Sequence, residues 1–261
     1  MTQVAADAGP PLLTRAAPSR ATITLNRPQH LNRLHREDLL APQAHIATLA
    51  ADPTLRVVLL TGRGRVFCAG FNLQELEEQG AGGDDPQLFE RTVDALEALP
   101  VPTVCRFNGS VYGGATDLAL ACDFRIGVMG MELRMPAARL GLHYYPSGLQ
   151  RYVSRLGLQA AKRLFLLGEA IAADELLRIG YLDTLAAPEA LDDTVERTAQ
   201  ALLQGAPLAL HGMKLSLNEL GRGTADATTL QQRVQRCADS GDLREGLAAL
   251  AARRAARFEG R

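Results

Sequence analysis

Asn108-Gly109-Ser110-Val111-Tyr112-Gly113-Gly114-Ala115-Thr116-Asp117 joins a short β-branched stretch, Pro102 to Phe107, to an Ala/Leu-rich one, Ala115 to Cys122. The first reads as a strand and the second as a helix, so the glycine pair falls where the first helical amides have no acceptor within the helix. Unpaired amides and the positive end of a helix dipole favour an oxyanion. Asp117, three residues after Gly114, would lie on the same helical side, close enough to exchange a proton with whatever that amide holds. The plainer reading of the same residues is a packing turn with a solvated Asp.

A second glycine turn lies upstream. Arg56-Val57-Val58-Leu59-Leu60-Thr61-Gly62 is a near-continuous apolar strand, and Arg63 to Leu73 follows it. Within that stretch Gly70 can take backbone angles that turn the Phe71 amide inward. Two amides from two separate turns, each after a parallel-type strand, are what a developing enolate or tetrahedral oxygen requires.

The whole composition is compatible with such a site. A chain of 261 residues, 47% of them hydrophobic, can bury a full core. Its 28 basic and 29 acidic residues leave no electrostatic case for nucleic acid or an anionic membrane. Cys68, Cys105, Cys122 and Cys237 show no C-x-x-C spacing, which favours buried free thiols in a reducing compartment over disulfides or a metal site. Met1 to Leu13 lacks the pattern of a signal peptide, and no 18-residue apolar run occurs, so a cytoplasmic, membrane-free protein is expected.

Residues 1–18 read as a Pro/Ala-rich lead and Arg20 to Leu25 as the first strand. Arg36 to Ala50 is helical in pattern, with Pro42 implying a kink or a late start. Residues 79–86 form a Gly-rich turn, Gln87 to Leu99 a helix, and Phe124 to Val128 a further strand. Strands alternating with helices imply parallel pairing and an α/β fold. From about Ser147 strand signals almost vanish, and helices are predicted at 150–156, 158–167, 173–179, 191–203, 208–220, 228–238 and 243–257.

Three other chemistries are disfavoured. Gly62-Arg63-Gly64 hints at a dinucleotide loop, but Phe67 stands where the third glycine belongs. There is no Gly-x-Ser-x-Gly elbow for a serine hydrolase. His30, His35, His45, His143 and His211 have no metal-ligand spacing, so no metal is expected.

The ordered pieces Leu25-Asn26-Arg27-Pro28 with Leu31-Asn32, Val57 to Gly62, Phe67-Cys68-Ala69-Gly70, Asn108-Gly109 with Gly113-Gly114, Ala121-Cys122-Asp123 and Arg139-Leu140-Gly141 resemble the enoyl-CoA hydratase/isomerase, or crotonase, superfamily. That resemblance implies a spiral of β-β-α turns over residues 19–200. It also implies a helical C-terminal region, 201–261, that covers CoA and packs between subunits of a homotrimer or dimer of trimers. The substrate would be an acyl-CoA thioester of fatty acid metabolism, with no cofactor beyond the coenzyme A it carries. The amides of Phe71 and Gly114 would hold the thioester oxygen, and Gln29, His30, Leu31, Ala69, Gly70, Asn72, Leu73 and Gly113 would line the CoA path. Leu250 and Arg253, in the stretch similar to the family's last helix, would hold the CoA nucleotide.

Departures from the hydratase pattern bear on the reaction. Of the two hydratase glutamates, the first matches Asp117 and the second falls on Ala137, which cannot move a proton. Each such group is worth about 10²- to 10⁴-fold. A double-bond shift, with Asp117 carrying the proton, is therefore expected ahead of hydration. The runner-up is a lyase reaction, decarboxylation of a malonyl-type thioester. Leu140-Gly141-Leu142-His143-Tyr144 resembles the methylmalonyl-CoA decarboxylase branch, where a tyrosine matching Tyr144 would bond the substrate carboxylate, although Phe71 and Asp117 depart from that branch. A non-catalytic acyl-CoA-binding member of the fold is the third reading.

Overall fold

A computed structural model describes residues 8–72, 75, 85 and 87–261. The apolar run predicted at 56–62 is strand β3 (Val57–Gly62), and it lies inside a six-stranded sheet. Its neighbours are β2 (Arg20–Leu25) and β4 (Thr103–Arg106), followed outward by β6 (Phe124–Val128) and β9 (Thr184–Ala186), all parallel. Both faces of this sheet are covered, which is why β3 reads as continuously apolar instead of alternating. Val57 and Leu59 pack with Val104 and Ile126 against Leu191, Val195 and Ala199 of a helix at Leu191–Leu203. Val58 and Leu60 face the opposite way, into the main core with Ile23, Leu25 and Cys105.

A second sheet is made of β5 (Val111–Tyr112), β7 (Glu132–Arg134) and β8 (Ala170–Ala172). Single bridges pair Cys68 with Val111 and Leu34 with Phe71, extending the same edge. Successive coils of the chain thus contribute a strand to the large sheet and then a short extended piece to the small one, the spiral of β-β-α turns implied by the resemblance. In chain order the helices are α1 (Glu37–Ala50), α2 (Leu88–Glu97), α3 (Ala115–Leu120), α4 (Pro146–Leu156), α5 (Leu158–Lys162), α6 (Ala173–Arg178), α7 (Leu191–Leu203), α8 (Pro207–Arg222), α9 (Ala227–Ala238) and α10 (Gly241–Ala251).

Several expectations are corrected. The lead at 1–18 contains β1 (Leu12–Ala17), which pairs antiparallel with β2 around Pro18 and Ser19. Its side chains are exposed or half-buried, so backbone pairing alone holds it and no apolar alternation announces it. α1 runs through Pro42 from a start at Glu37. β8 and β9 fall in the region where strand signals almost vanish; at three residues each they are too short to show a period. The helix predicted at 158–167 is α5 continued by a wider π-type turn, Arg163–Leu167. The last helix stops at Ala251, not at 257. The chain then folds back, with the amides of Glu259 and Gly260 donating to the Asp242 carboxylate at 2.8 and 3.0 Å. Of the turn predicted at 79–86, only Asp85 is within the described residues.

All four cysteines are free thiols, with Cys68, Cys105 and Cys122 buried. Burial pushes the Cys68 thiol up to about 12, so it is a packing group at neutral pH and not a nucleophile. No helix among the described residues is long and apolar enough to cross a membrane.

Candidate active site

Two asparagines build the floor of the site. Asn32 Nδ2 donates to the carbonyls of Arg63, Val66 and Phe67 at 2.7–3.0 Å. Asn108 Nδ2 donates to Gly64 and Val66 at 2.7 and 3.0 Å, while its Oδ1 accepts from the Gly62 amide at 3.1 Å. The carbonyls of Arg63, Gly64, Val66 and Phe67 are thereby turned onto side chains. Gly109 has to lack a side chain, because a Cβ there would sit 2.0 Å from the Arg65 carbonyl oxygen.

Beyond this floor the two glycine turns meet. Phe67 N donates to Ser110 O and Tyr112 N to Cys68 O, both at 3.0 Å, which zips the two segments together. At the top Gly70 (φ +90°) lies against Gly113 (φ +56°), and a Cβ on Gly70 would come 3.5 Å from the Gly113 Cα. The Ala69 amide bonds to Leu31 O and the Asn72 amide to Leu34 O, at 2.9 and 2.8 Å. In extended chain the intervening Phe71 amide points the other way, and among the described residues it has no acceptor; neither has the Gly114 amide. Two unpaired donors on adjoining turns can hold a negative oxygen. Because α3 is only six residues long, the local amide does this, not a helix macrodipole.

Asp117 is placed differently from the expectation. Its side chain is fully buried, and Arg151 Nη1, from α4, donates to both carboxylate oxygens at 2.8 and 2.9 Å. Tyr145 Oη donates to Asp117 Oδ2, and Tyr144 Oη reaches the same oxygen at 3.3 Å. Arg151 is itself buried and shared, with Asp94 Oδ1 at 2.5 Å from Nη2 and Glu97 Oε2 at 3.1 Å from Nε. The Nε contact is an ion pair without hydrogen-bond alignment. Burial pulls the Arg151 guanidinium down, but the Asp117 carboxylate overrides it and the pKa ends raised. Burial, reinforced by the Asp117 charge, lifts both tyrosines well above the usual phenol value. They are protonated at neutral pH.

Tyr144 belongs to the same enclosed cluster. It stacks on Tyr145 with ring centroids 4.4 Å apart and packs against Tyr152 and Phe165, so its hydroxyl is spent on Asp117 and not turned to open space. Ala137 is buried, in a short turn at Ala137–Leu140.

The CoA-lining expectations divide. Pro28–His30 forms a 3-10 turn that delivers Leu31 against Ala69, and Leu34 further on bonds Gly70 and Asn72. Leu73 lies outside the described residues. Leu250 is 77% exposed and Arg253 is exposed just past α10, with no described contact to either glycine turn.

Sequence reasoning missed three side chains here. Phe89 covers Gly114, with a Cβ on that glycine falling 2.9 Å from the ring tip, and Phe89 meets Tyr145 edge-on at 5.9 Å. Arg151 had a signal: a carboxylate on a buried helix needs a cation, and Gly148-Leu149-Gln150-Arg151 places one on the small-residue face of α4. Tyr145 had only its neighbour Tyr144, and nothing local distinguishes which of the pair faces the site.

The sequence family described as Enoyl-CoA hydratase/isomerase matches residues 16–261. YngF of Bacillus subtilis, which carries an enoyl-CoA hydratase/isomerase name, is 36% identical over 247 residues, 92% of this chain and 94% of that protein. The 1,2-epoxyphenylacetyl-CoA isomerase of Escherichia coli is 32% identical over 248 residues, 92% of this chain and 95% of that protein. A solved structure described as an enoyl-CoA hydratase/carnithine racemase from Magnetospirillum magneticum superposes with a TM-score of 0.91 at 26% identity, covering 98% of this chain and 97% of the other. The family match begins within β1 and runs to the last residue, so both amide-bearing turns lie inside it, and the chain belongs to the enoyl-CoA hydratase/isomerase family of acyl-CoA enzymes.

Proposed function

We propose that this protein shifts a double bond in an acyl-CoA thioester, moving a 3-enoyl group toward the 2-enoyl form through an enolate whose oxygen rests on the Phe71 and Gly114 amides. The observation that carries this reading is that position 137 is a buried alanine, while the first turn of α3, just after Gly114, carries one carboxylate, Asp117. Hydration needs one group to activate water and another to protonate the α-carbon, whereas isomerisation reuses one proton carrier. Relatives' names include both hydratases and isomerases, so they do not select between the two. Decarboxylation loses its main support, because Tyr144 bonds Asp117 and a substrate carboxylate there would meet a like charge.

The test is a pair of assays on the purified protein, with a 3-enoyl-CoA and a 2-enoyl-CoA of equal chain length. Isomerisation is expected to exceed hydration by roughly 10²-fold or more, the worth of one missing acid–base group. Faster hydration would overturn the reading, and turnover of neither would leave an acyl-CoA-binding member of the fold.

The coenzyme is proposed to run past Gln29, His30 and Leu31 and over Ala69, Gly70, Asn72 and Leu73, with Gly113 at the thioester and Leu250 and Arg253 supplied to the nucleotide by a neighbouring copy. Self-association as a trimer or a pair of trimers fits the apolar side chains exposed on α8, α9 and α10: Met213, Leu217, Leu220, Val234, Leu247 and Leu250. Light scattering at micromolar concentration is expected to give three or six times the 28.0 kDa chain mass. A stable monomer would remove the proposed CoA role of Leu250 and Arg253.

A further inference from the structure

We propose that Tyr145 Oη, and not the Asp117 carboxylate, is the atom that meets the substrate's α-carbon, and that Asp117 acts only through it. This rests on the enolate chemistry proposed above. Asp117 is fully enclosed: Arg151, Tyr144 and Tyr145 occupy its oxygens, and a Cβ on Gly148 would come 2.7 Å from Oδ2. A carbon acid therefore has no direct approach to it. Tyr145 is only partly buried, and Phe89 packs against both its ring and Gly114, so Tyr145 is the hydroxyl-bearing partner of Asp117 that retains exposure next to the side chain covering the Gly114 turn. Its hydrogen is committed to Asp117 Oδ2, which leaves the oxygen to act as an acceptor toward any other partner.

The step balances without a co-reactant. The α-hydrogen passes as a proton to Tyr145 Oη while the Tyr145 hydroxyl proton passes to Asp117 Oδ2. The C–H electron pair enters the bond between the α-carbon and the carbonyl carbon, and the carbonyl π pair moves onto the thioester oxygen held by the two amides. On return Asp117 gives its proton to Tyr145, and Tyr145 delivers its own to the γ-carbon in isomerisation or to the α-carbon in simple exchange. Arg151 holds Asp117 in place while sharing its charge with Asp94 and Glu97, which moderates how strongly it opposes protonation of Asp117.

The experiment follows tritium washout from α-tritiated butyryl-CoA, which reports enolate formation without any double bond, alongside turnover of a 3-enoyl-CoA. In the wild type, washout is expected to be slower in D2O than in H2O, because the tyrosine O–H is in flight together with the C–H. Direct abstraction by a carboxylate moves no solvent-exchangeable hydrogen, so equal rates in the two solvents would overturn the proposal. Tyr145→Phe keeps the ring against Phe89 and Tyr144 and is expected to lose roughly 10²- to 10⁴-fold in kcat for both reactions, with KM little changed. Near-normal washout by folded Tyr145→Phe would overturn the relay while leaving the isomerase reading intact. Washout without isomerisation would overturn the isomerase reading and leave the relay. Absence of both in the wild type would end both. Should Tyr145→Phe not fold, the solvent comparison on the wild type decides alone.

Discussion

Gly114→Pro is expected to lose about 10²- to 10³-fold in kcat, the cost of one oxyanion-hole donor. Proline removes the N–H while Gly114 already has φ −56°, within proline's range, and its amide has no internal acceptor among the described residues to lose, although the ring also presses on Gly113, which sits at φ +56°. The new Cβ would meet Phe89, whose ring tip would lie 2.9 Å away. The substitution should therefore be made in a Phe89→Ala background, with that single variant as the reference. Circular dichroism confirms folding, and CoA affinity reports binding apart from chemistry. A folded double variant that turns over a 3-enoyl-CoA as fast as Phe89→Ala would remove Gly114 from the mechanism, and the oxyanion assignment with it.

Arg151→Leu is expected to cost about 3–5 kcal/mol of folding stability, the usual penalty for stripping one partner from a buried ion pair. The magnitude comes from what stays behind. Glu97 retains Arg155 and Arg222, and Asp94 is partly exposed, but Asp117 is left sealed in the core with only tyrosine hydroxyls. The double variant Arg151→Leu/Asp117→Leu, which removes both charges, is expected to recover much of the loss, since apolar replacement of a whole buried pair is often neutral. Urea denaturation of the two variants and the wild type measures this directly. A loss below about 1 kcal/mol in the single variant would mean that water reaches Asp117, contrary to its complete burial. The relay through Tyr145 would then lose its premise as well.

The same group explains why the chemistry was harder to read than the fold. The apolar β3 run, the glycines before Phe71 and Gly114, and the asparagine at 108 are local signals: each states what its own backbone must do, and backbone geometry is set within a few residues. Those signals were enough to place two donors on two turns after parallel strands. The helical apolar pattern of its own residues likewise gave α7, predicted at 191–203, its observed bounds. Weak local patterns failed where only pairing holds the chain, as in the exposed β1 and the three-residue β8 and β9.

The partners of Asp117 belong to another class of information. Arg151, Tyr144 and Tyr145 lie 27 to 34 residues away on or beside α4, and Phe89 comes from α2; their meeting depends on how those helices pack on α3. From the sequence, Asp117 is a carboxylate one helical turn past an oxyanion donor. Packing decides that it is enclosed, ion-paired and screened by a phenol, because burial and charge pairing are properties of the neighbours, not of the residue. The sequence by itself determined the alternation of strands and helices and the glycine turns before Phe71 and Gly114, which follow from local backbone constraints, and its ordered motifs carried the resemblance that implied the spiral. Only the tertiary structure decided that Arg151, Tyr144 and Tyr145 enclose Asp117, because segments distant in sequence supply them.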